Sequence, residues 1–254
     1  MEKIPLNNVQ LDHLAIADTL LKPYFYGTVA CDQLPSRPIK KEPHGYVVNT
    51  DPHDRPGRHW LALWTHSGNT PSSLLVVGPS GCGKTVFTTN LLLNNLELFH
   101  TRPSQIHYCY GVWQDGFQHM KERGVKFHEG VPDTDQLKTW FPKGGLLVLD
   151  DLMAEGGNDK RVLDLFTKHS HHKNVTVLYL CQDMFLPGKY AKSISRNAHY
   201  IIAFKNPRDQ LGMRNLLLQA FPTQWQVLQD TFQRLTERPF GYMVLDLHPG
   251  SSDD

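Results

Sequence analysis

The sequence predicts an α/β fold, a mainly parallel sheet flanked by helices, and two features of its patterning carry that expectation. Short apolar runs recur between residues 74 and 247, and most are continuous rather than alternating, as in strands covered on both faces. Segments with helical spacing separate these runs, so strand and helix follow one another as in doubly wound sheets. With 254 residues and 40% hydrophobic content, the chain can build one large domain, or one domain plus a fragment.

The elements are expected in this order. Leu74–Val77 is an apolar strand ending at Gly78, and a helix follows over Thr85–Leu98. Ile106–Tyr110 is the next strand. The stretch from Tyr110 to Pro132 is less informative; Trp113, Phe117, Met120 and the pair Phe127-His128 read as core. A helix over 133–141 leads to the strand Gly145–Leu149, and a helix over 158–172 leads to the strand Val175–Leu180. His199–Phe204 is a fifth strand, a helix spans 208–220, and Tyr242–Leu247 is a sixth strand.

Residues 1–69 differ in character: they are rich in Pro, His, Asp and Arg, with only short apolar runs. The junction Ser67-Gly68-Asn69-Thr70-Pro71-Ser72-Ser73 has the composition of a linker. The expected division is an N-terminal segment with some β structure over 1–69, the main domain over 70–247 and a disordered tail over 248–254.

The formal net charge of +1 excludes binding to nucleic acid through a broad basic face, so any such contact is local or shared among subunits. The four cysteines, Cys31, Cys82, Cys109 and Cys181, include no CxxC pair and read as free thiols in a reducing compartment. No apolar run approaches the roughly 20 residues a membrane span needs. The first ten residues lack a basic stretch followed by an apolar one, so no secretory signal is expected. The reading is a soluble intracellular protein of the cytoplasm or nucleus, without a membrane partner. The run Lys168-His169-Ser170-His171-His172-Lys173 reads as a solvated basic helix end rather than a metal site.

Gly78-Pro79-Ser80-Gly81-Cys82-Gly83-Lys84-Thr85 fits GxxxxGK[ST] without mismatch, between an apolar strand and an amphipathic helix. Glycines let the backbone turn its N–H groups inward onto phosphates, and a helix N-terminus favours anions. Lys84 is then placed for the β- and γ-phosphates of ATP, and the Thr85 hydroxyl for Mg2+. Cys82 occupies a variable position of the loop.

Leu146-Leu147-Val148-Leu149-Asp150-Asp151 carries two carboxylates to the end of a buried strand. Asp150 is the expected Mg2+ ligand and Asp151 the general base that polarises the attacking water; a helix cap is the structural alternative. Val177-Leu178-Tyr179-Leu180-Cys181-Gln182-Asp183 ends in a polar group, and Gln182 is the candidate sensor of the γ-phosphate. Arg196, shortly before the next strand, is the candidate for stabilising transition-state charge on a neighbouring subunit's nucleotide, with Arg208 and Arg214 as competitors.

Four features in order, GPSGCGKT, LLVLDD, LYLCQD and SRNAHYIIAF, together resemble the FtsK–HerA superfamily, and its viral packaging branch in poxvirus-like and Polinton-like elements most of all. The stretch VLYLCQDMFLPGKYAKSISRNAHYIIAFKNPRDQ is the most distinctive part, and the resemblance covers about residues 72–222. It implies a RecA-like P-loop core, Mg-ATP hydrolysis, a homo-oligomeric ring and double-stranded DNA moved through its centre, with a capsid portal as a further partner. Many members carry Asp-Glu where this chain has Asp150-Asp151, so the water must sit one methylene closer.

Within the first 69 residues, Tyr24–Val29, Gly45–Thr50 and the step His59-Trp60 resemble the front of an adenovirus-type cysteine protease, with His59 at the position of that family's histidine. The chain passes from there into the phosphate-loop domain without the family's nucleophile, so no proteolysis is expected. A plain β-hairpin extension is the alternative for this segment. For the main domain, two alternatives to a DNA motor stay open: a small-molecule kinase and a non-catalytic nucleotide-binding protein.

Overall fold

The computed structural model describes residues 72–94, 96, 99, 102–152, 157–169, 174–184 and 188–248. The expected N-terminal segment 1–69, the histidine-rich run over 170–173 and residues 249–254 lie outside them.

The elements follow one another as strand and helix. β1 (Ser73–Val77) runs into the phosphate loop and α1 (Lys84–Asn94). β2 (Ile106–Tyr110), the short α2 (Phe117–Glu122), β3 (Lys126–Glu129) and α3 (Thr134–Trp140) come next. β4 (Gly145–Asp150) precedes α4 (Lys160–Asp164), which continues as a π turn over Leu165–His169. β5 (Val175–Cys181), α5 (Ala191–Arg196), β6 (Tyr200–Phe204), α6 (Gln210–Ala220), α7 (Trp225–Leu235) and β7 (Tyr242–Asp246) complete the order.

The seven strands form one sheet in the order β3-β2-β4-β5-β1-β6-β7, parallel throughout except for β7, which pairs antiparallel with β6. The expected α/β fold with a mainly parallel, helix-flanked sheet is therefore the observed one. Its strands read as apolar runs because both faces are covered. On one face α1 and α2 pack through Phe87, Leu91, Phe117 and Met120 onto Leu74, Val76, Val148 and Leu180. On the other, the remaining helices pack onto Leu75, Val77, Leu147, Leu149 and Tyr179. Each such leucine or valine, fully buried, contributes about 1.5–3 kcal/mol.

Register aligns the strand ends that matter. Tyr110 lies opposite Asp150, Asp150 opposite Leu180, Leu180 opposite Val76, and Val76 opposite Ile202. All these strands run the same way, so the segments following β1, β4 and β5 emerge on one end of the sheet. β5 lies between β1 and β4. The acidic strand is thus one strand removed from the phosphate-loop strand rather than its direct neighbour.

β3 and α2 arise from the stretch that reads poorly in sequence. Phe117 and Met120 are buried as expected, whereas Trp113 is 39% exposed beside Val112 at 63%. α3 begins with a capping box, in which Asp133 accepts from the Asp135 and Gln136 amides and the Gln136 side chain accepts from the Asp133 amide.

Candidate active site

The phosphate loop leaves β1 under tight control. The Gly78 amide donates to the Cys181 carbonyl at 3.1 Å, extending the β1–β5 ladder by one bond. Gly81 and Gly83 then adopt left-handed φ values of 76° and 109°. At Gly83 an added Cβ would also lie 3.0 Å from the Phe240 ring, so glycine is required there on two counts. Phe240 is itself left-handed, φ 65°, a costly conformation for an aromatic residue held against the loop by the turn before β7.

Lys84 opens α1, and its ammonium donates to the Gly78 carbonyl at 2.5 Å and the Pro79 carbonyl at 3.0 Å. The charge is thereby folded over the mouth of the loop, with Thr85 next to it at the first turn of the helix. Cys82 is half-buried, and burial raises its thiol pKa while the Lys84 charge opposes the rise. The thiol is kept protonated, which speaks against a redox role.

Asp150 ends β4 with only 4% exposure. Strand alternation puts its side chain on the face that α1 covers, with Leu146 and Val148. The Tyr108 hydroxyl donates to Asp150 Oδ2 at 2.6 Å in a buried hydrogen bond. A bond of this kind to a charged acceptor contributes about 1.5–3 kcal/mol. Burial raises the Asp150 pKa, and the Asp151 charge adds to that; the Tyr108 hydroxyl and the Lys84 ammonium oppose it. Tyr108 in turn is pushed well up, by burial first and then by the Asp150 charge.

Asp151 turns away from the strand in a left-handed conformation, φ 53°, and is exposed. Two contacts with the residue after β2 hold that turn: the Gly111 amide donates to the Asp150 carbonyl at 3.0 Å, and the Asp151 carbonyl sits where a Gly111 Cβ would be. Gln182 follows Cys181 directly at the end of β5 and is exposed. Cys181 itself is buried, which pushes its thiol up to about 12.

Lys84, Thr85, Asp150, Asp151 and Gln182 therefore gather at one end of the sheet, on three adjacent strands. Arg196 does not. It ends α5, next to Asn197, whose carbonyl accepts from Ser73 at the start of β1. That is the opposite end, about 13 Å of strand away from the loop at about 3.3 Å per residue. Arg208 lies after β6, at the loop's own end, with its amide bonded to Asn206 Oδ1 at 3.0 Å. Arg214 is stacked over the Trp225 ring at 4.9 Å.

An oxygen-donor set of one buried carboxylate and one hydroxyl beside a phosphate loop suits Mg2+, which takes few protein ligands and completes its shell with water and phosphate oxygens. Among the described residues there is no cluster of three or more His, Cys, Asp or Glu side chains able to hold a metal alone. Tyr108 and Gly111 were not expected from sequence. Tyr108 is signalled only by its place two residues before Tyr110, on the same side of a strand that pairs with the acidic one.

No protein-family model and no curated protein matches the sequence. The fold is similar to that of B204, the DNA-packaging ATPase from Sulfolobus turreted icosahedral virus, at 12% identity, TM-score 0.47, covering 70% of this chain and 94% of that one. It is similar to the genome packaging NTPase B204 from Sulfolobus turreted icosahedral virus 2 in complex with AMP, at 10% identity, TM-score 0.45, covering 72% and 96%. It is also similar to the pCW3 conjugation coupling protein TcpA with ATPγS, at 14% identity, TM-score 0.41, covering 70% and 58%. Identities this low carry no residue roles across.

Proposed function

We propose that this chain is a P-loop ATPase whose hydrolysis drives double-stranded DNA through a homo-oligomeric ring, in a viral or transposon-derived packaging system of the cytoplasm or nucleus. The observation that carries the ATPase reading is the convergence on one sheet end of Lys84 and Thr85 after β1, Gln182 after β5 and the pair Asp150-Asp151 at β4. The DNA-motor reading rests on the sequence resemblance to the packaging branch of the FtsK–HerA superfamily, and a capsid portal follows from the same resemblance. The solved structures named above are described as packaging and conjugation proteins.

Each residue has a task that its placement permits. The backbone amides of Gly78 to Thr85 and the α1 N-terminus bind the phosphates. Lys84 exchanges its two carbonyl partners for phosphate oxygens. Thr85 and Asp150 hold Mg2+, which supplies neutralisation of phosphate charge when bound. The Asp151 carboxylate, exposed just past β4 at the loop's end of the sheet, orients a water and accepts its proton at a carboxylate oxygen. Gln182 lies one residue beyond the ladder bond that ties β5 to the loop, where it donates to a terminal phosphate. Arg196 acts only across a subunit boundary, because its own loop is at the other end of the sheet; Arg208 is the candidate within one subunit.

One observation favours a second reading, nucleotide binding without a motor: Asp151 stands where many members of that superfamily have Glu. The two are separated by ATP turnover of the purified oligomer with and without linear double-stranded DNA, beside Lys84→Ala. A motor gives DNA-stimulated turnover that Lys84→Ala lowers by about a hundredfold or more. Turnover indifferent to DNA in a folded oligomer contradicts the motor, and unchanged turnover in Lys84→Ala contradicts the site.

A further inference from the structure

Tyr108 has no part in these roles, yet among the described residues it is the one whose side-chain hydroxyl is hydrogen-bonded to the proposed metal ligand. Its ring is fully buried on β2, stacked on Phe127 of β3 at 4.9 Å and 28° and packed against Phe117 of α2 at 4.9 Å and 51°. Those two rings fix the direction of the phenol. The Cα partner of Tyr108 on β4 is Val148, two residues before Asp150 on the same face, and this diagonal spacing is within reach of an aromatic side chain. The hydroxyl ends 2.6 Å from Asp150 Oδ2.

A carboxylate has two oxygens with about four lone-pair sites; the phenol takes one on Oδ2, the Asp151 amide also donates to the carboxylate, and sites remain for a cation. A carboxylate free to rotate in a buried site would lose part of its ligand strength to disorder. Partners of this outer kind set the orientation and basicity of metal ligands. We propose that Tyr108 is a positioning residue for metal binding, holding the Asp150 carboxylate in one rotamer so that Oδ1 faces the phosphate loop. The inference rests on the reading of Asp150 as the Mg2+ ligand. A purely structural tyrosine would instead contribute only to packing, as Tyr242 does: that residue is buried in the same half of the core, and its hydroxyl has no hydrogen-bond partner among the described residues.

The test is Mn2+ affinity measured by electron paramagnetic resonance on the full chain with AMPPNP, for wild type, Tyr108→Phe, Tyr242→Phe and Asp150→Asn, with metal-free AMPPNP affinity measured beside it. Tyr108→Phe keeps the ring and is expected to weaken Mn2+ binding about tenfold while leaving metal-free AMPPNP affinity unchanged. Tyr242→Phe is expected to change neither. If Asp150→Asn weakens Mn2+ binding and Tyr108→Phe does not, the role of Tyr108 is overturned and that of Asp150 stands. If Asp150→Asn leaves Mn2+ affinity unchanged, the metal-ligand reading fails and the inference fails with it. A wild-type measurement covers the case in which Tyr108→Phe does not fold: the hydroxyl proton of Tyr108, observed by NMR, shifts with Mg2+ and AMPPNP together and not with AMPPNP alone. A proton that moves equally in both overturns the proposal.

Discussion

Two glycines at opposite ends of the sheet meet the same backbone device. At one end the carbonyl of left-handed Asn174, φ 56°, packs where a Gly144 Cβ would stand, and the Gly145 amide donates to that carbonyl at 3.1 Å. At the other end the carbonyl of left-handed Asp151 packs where a Gly111 Cβ would stand, with the Gly111 amide bonded to Asp150. Asn and Asp are the residues that tolerate this conformation best after glycine. The device therefore belongs to the parallel sheet, as a way of ending or starting a strand beside its neighbour. What differs is the surroundings. Around the first end, side chains are spent on backbone groups: Ser73 Oγ donates to the Asn197 carbonyl at 2.5 Å, and the Ser73 amide donates to His199 Nδ1 at 3.2 Å. Around the second, the same turn leaves Asp151 exposed at the end of the sheet where the phosphate loop begins.

The comparison predicts different outcomes for one substitution at two places. Gly111→Ala forces the Asp151 carbonyl to move and is expected to lower ATP turnover about 10- to 100-fold, since misplacing a reacting group by about 1 Å costs up to about a hundredfold. It also costs about 1–3 kcal/mol of stability. Gly144→Ala, at φ 84°, is expected to cost a similar 1–3 kcal/mol and to leave turnover per folded molecule unchanged. Steady-state kinetics and denaturant melts of the two variants check this; equal losses of turnover would remove the distinction between the ends.

A third region sharpens it with pH. On β2 and β3, His107 Nδ1 and His128 Nε2 lie 2.9 Å apart, and Trp140 stacks on both rings. Burial, with the charges of His128 and Lys126 adding to it, lowers the His107 pKa to about 4. A lowered histidine pKa means the folded state binds fewer protons than the unfolded one. Its contribution is fully present above about pH 6.5 and is lost as pH falls from there toward about 4. His128 shifts the same way, by burial and by the Lys126 charge. Melting temperature is expected to fall over that window in wild type, and less steeply in His107→Gln.

The smallest effect is expected at the sealed end: Ser73→Ala should cost about 1 kcal/mol, the value of one hydrogen bond, with turnover intact. Denaturant melts and kinetics on the same variant would show it.

The strands legible in sequence are those buried on both faces. The runs at Leu74–Val77, Ile106–Tyr110, Gly145–Leu149, Val175–Leu180, His199–Phe204 and Tyr242–Leu247 match β1, β2, β4, β5, β6 and β7 to within a residue at each end. β3, with the sequence KFHE, is a four-residue edge strand half exposed to solvent, so it has no apolar run to reveal it. α5 is six residues long, too short for helical periodicity to register. α7 had a readable stripe, Trp225, Leu228, Phe232 and Leu235, at helical spacing, and it was not among the expected helices. The phosphate loop and acidic pair were legible because their chemistry is tied to contiguous residues. Tyr108 and Gly111 were not, because each matters through a neighbour on another strand, and strand order is what a single sequence states least directly.

In the proposed mechanism Asp151, turned out at the end of β4, is the general base for the water that attacks the ATP bound by the loop after β1. Asp151→Asn removes its charge and keeps its shape, so single-turnover hydrolysis of Mg2+·ATP, measured with nucleotide affinity on the same preparation, tests the claim directly. Hydrolysis is expected to fall at least about a hundredfold, with affinity within about twofold of wild type. Hydrolysis at the wild-type rate would contradict it.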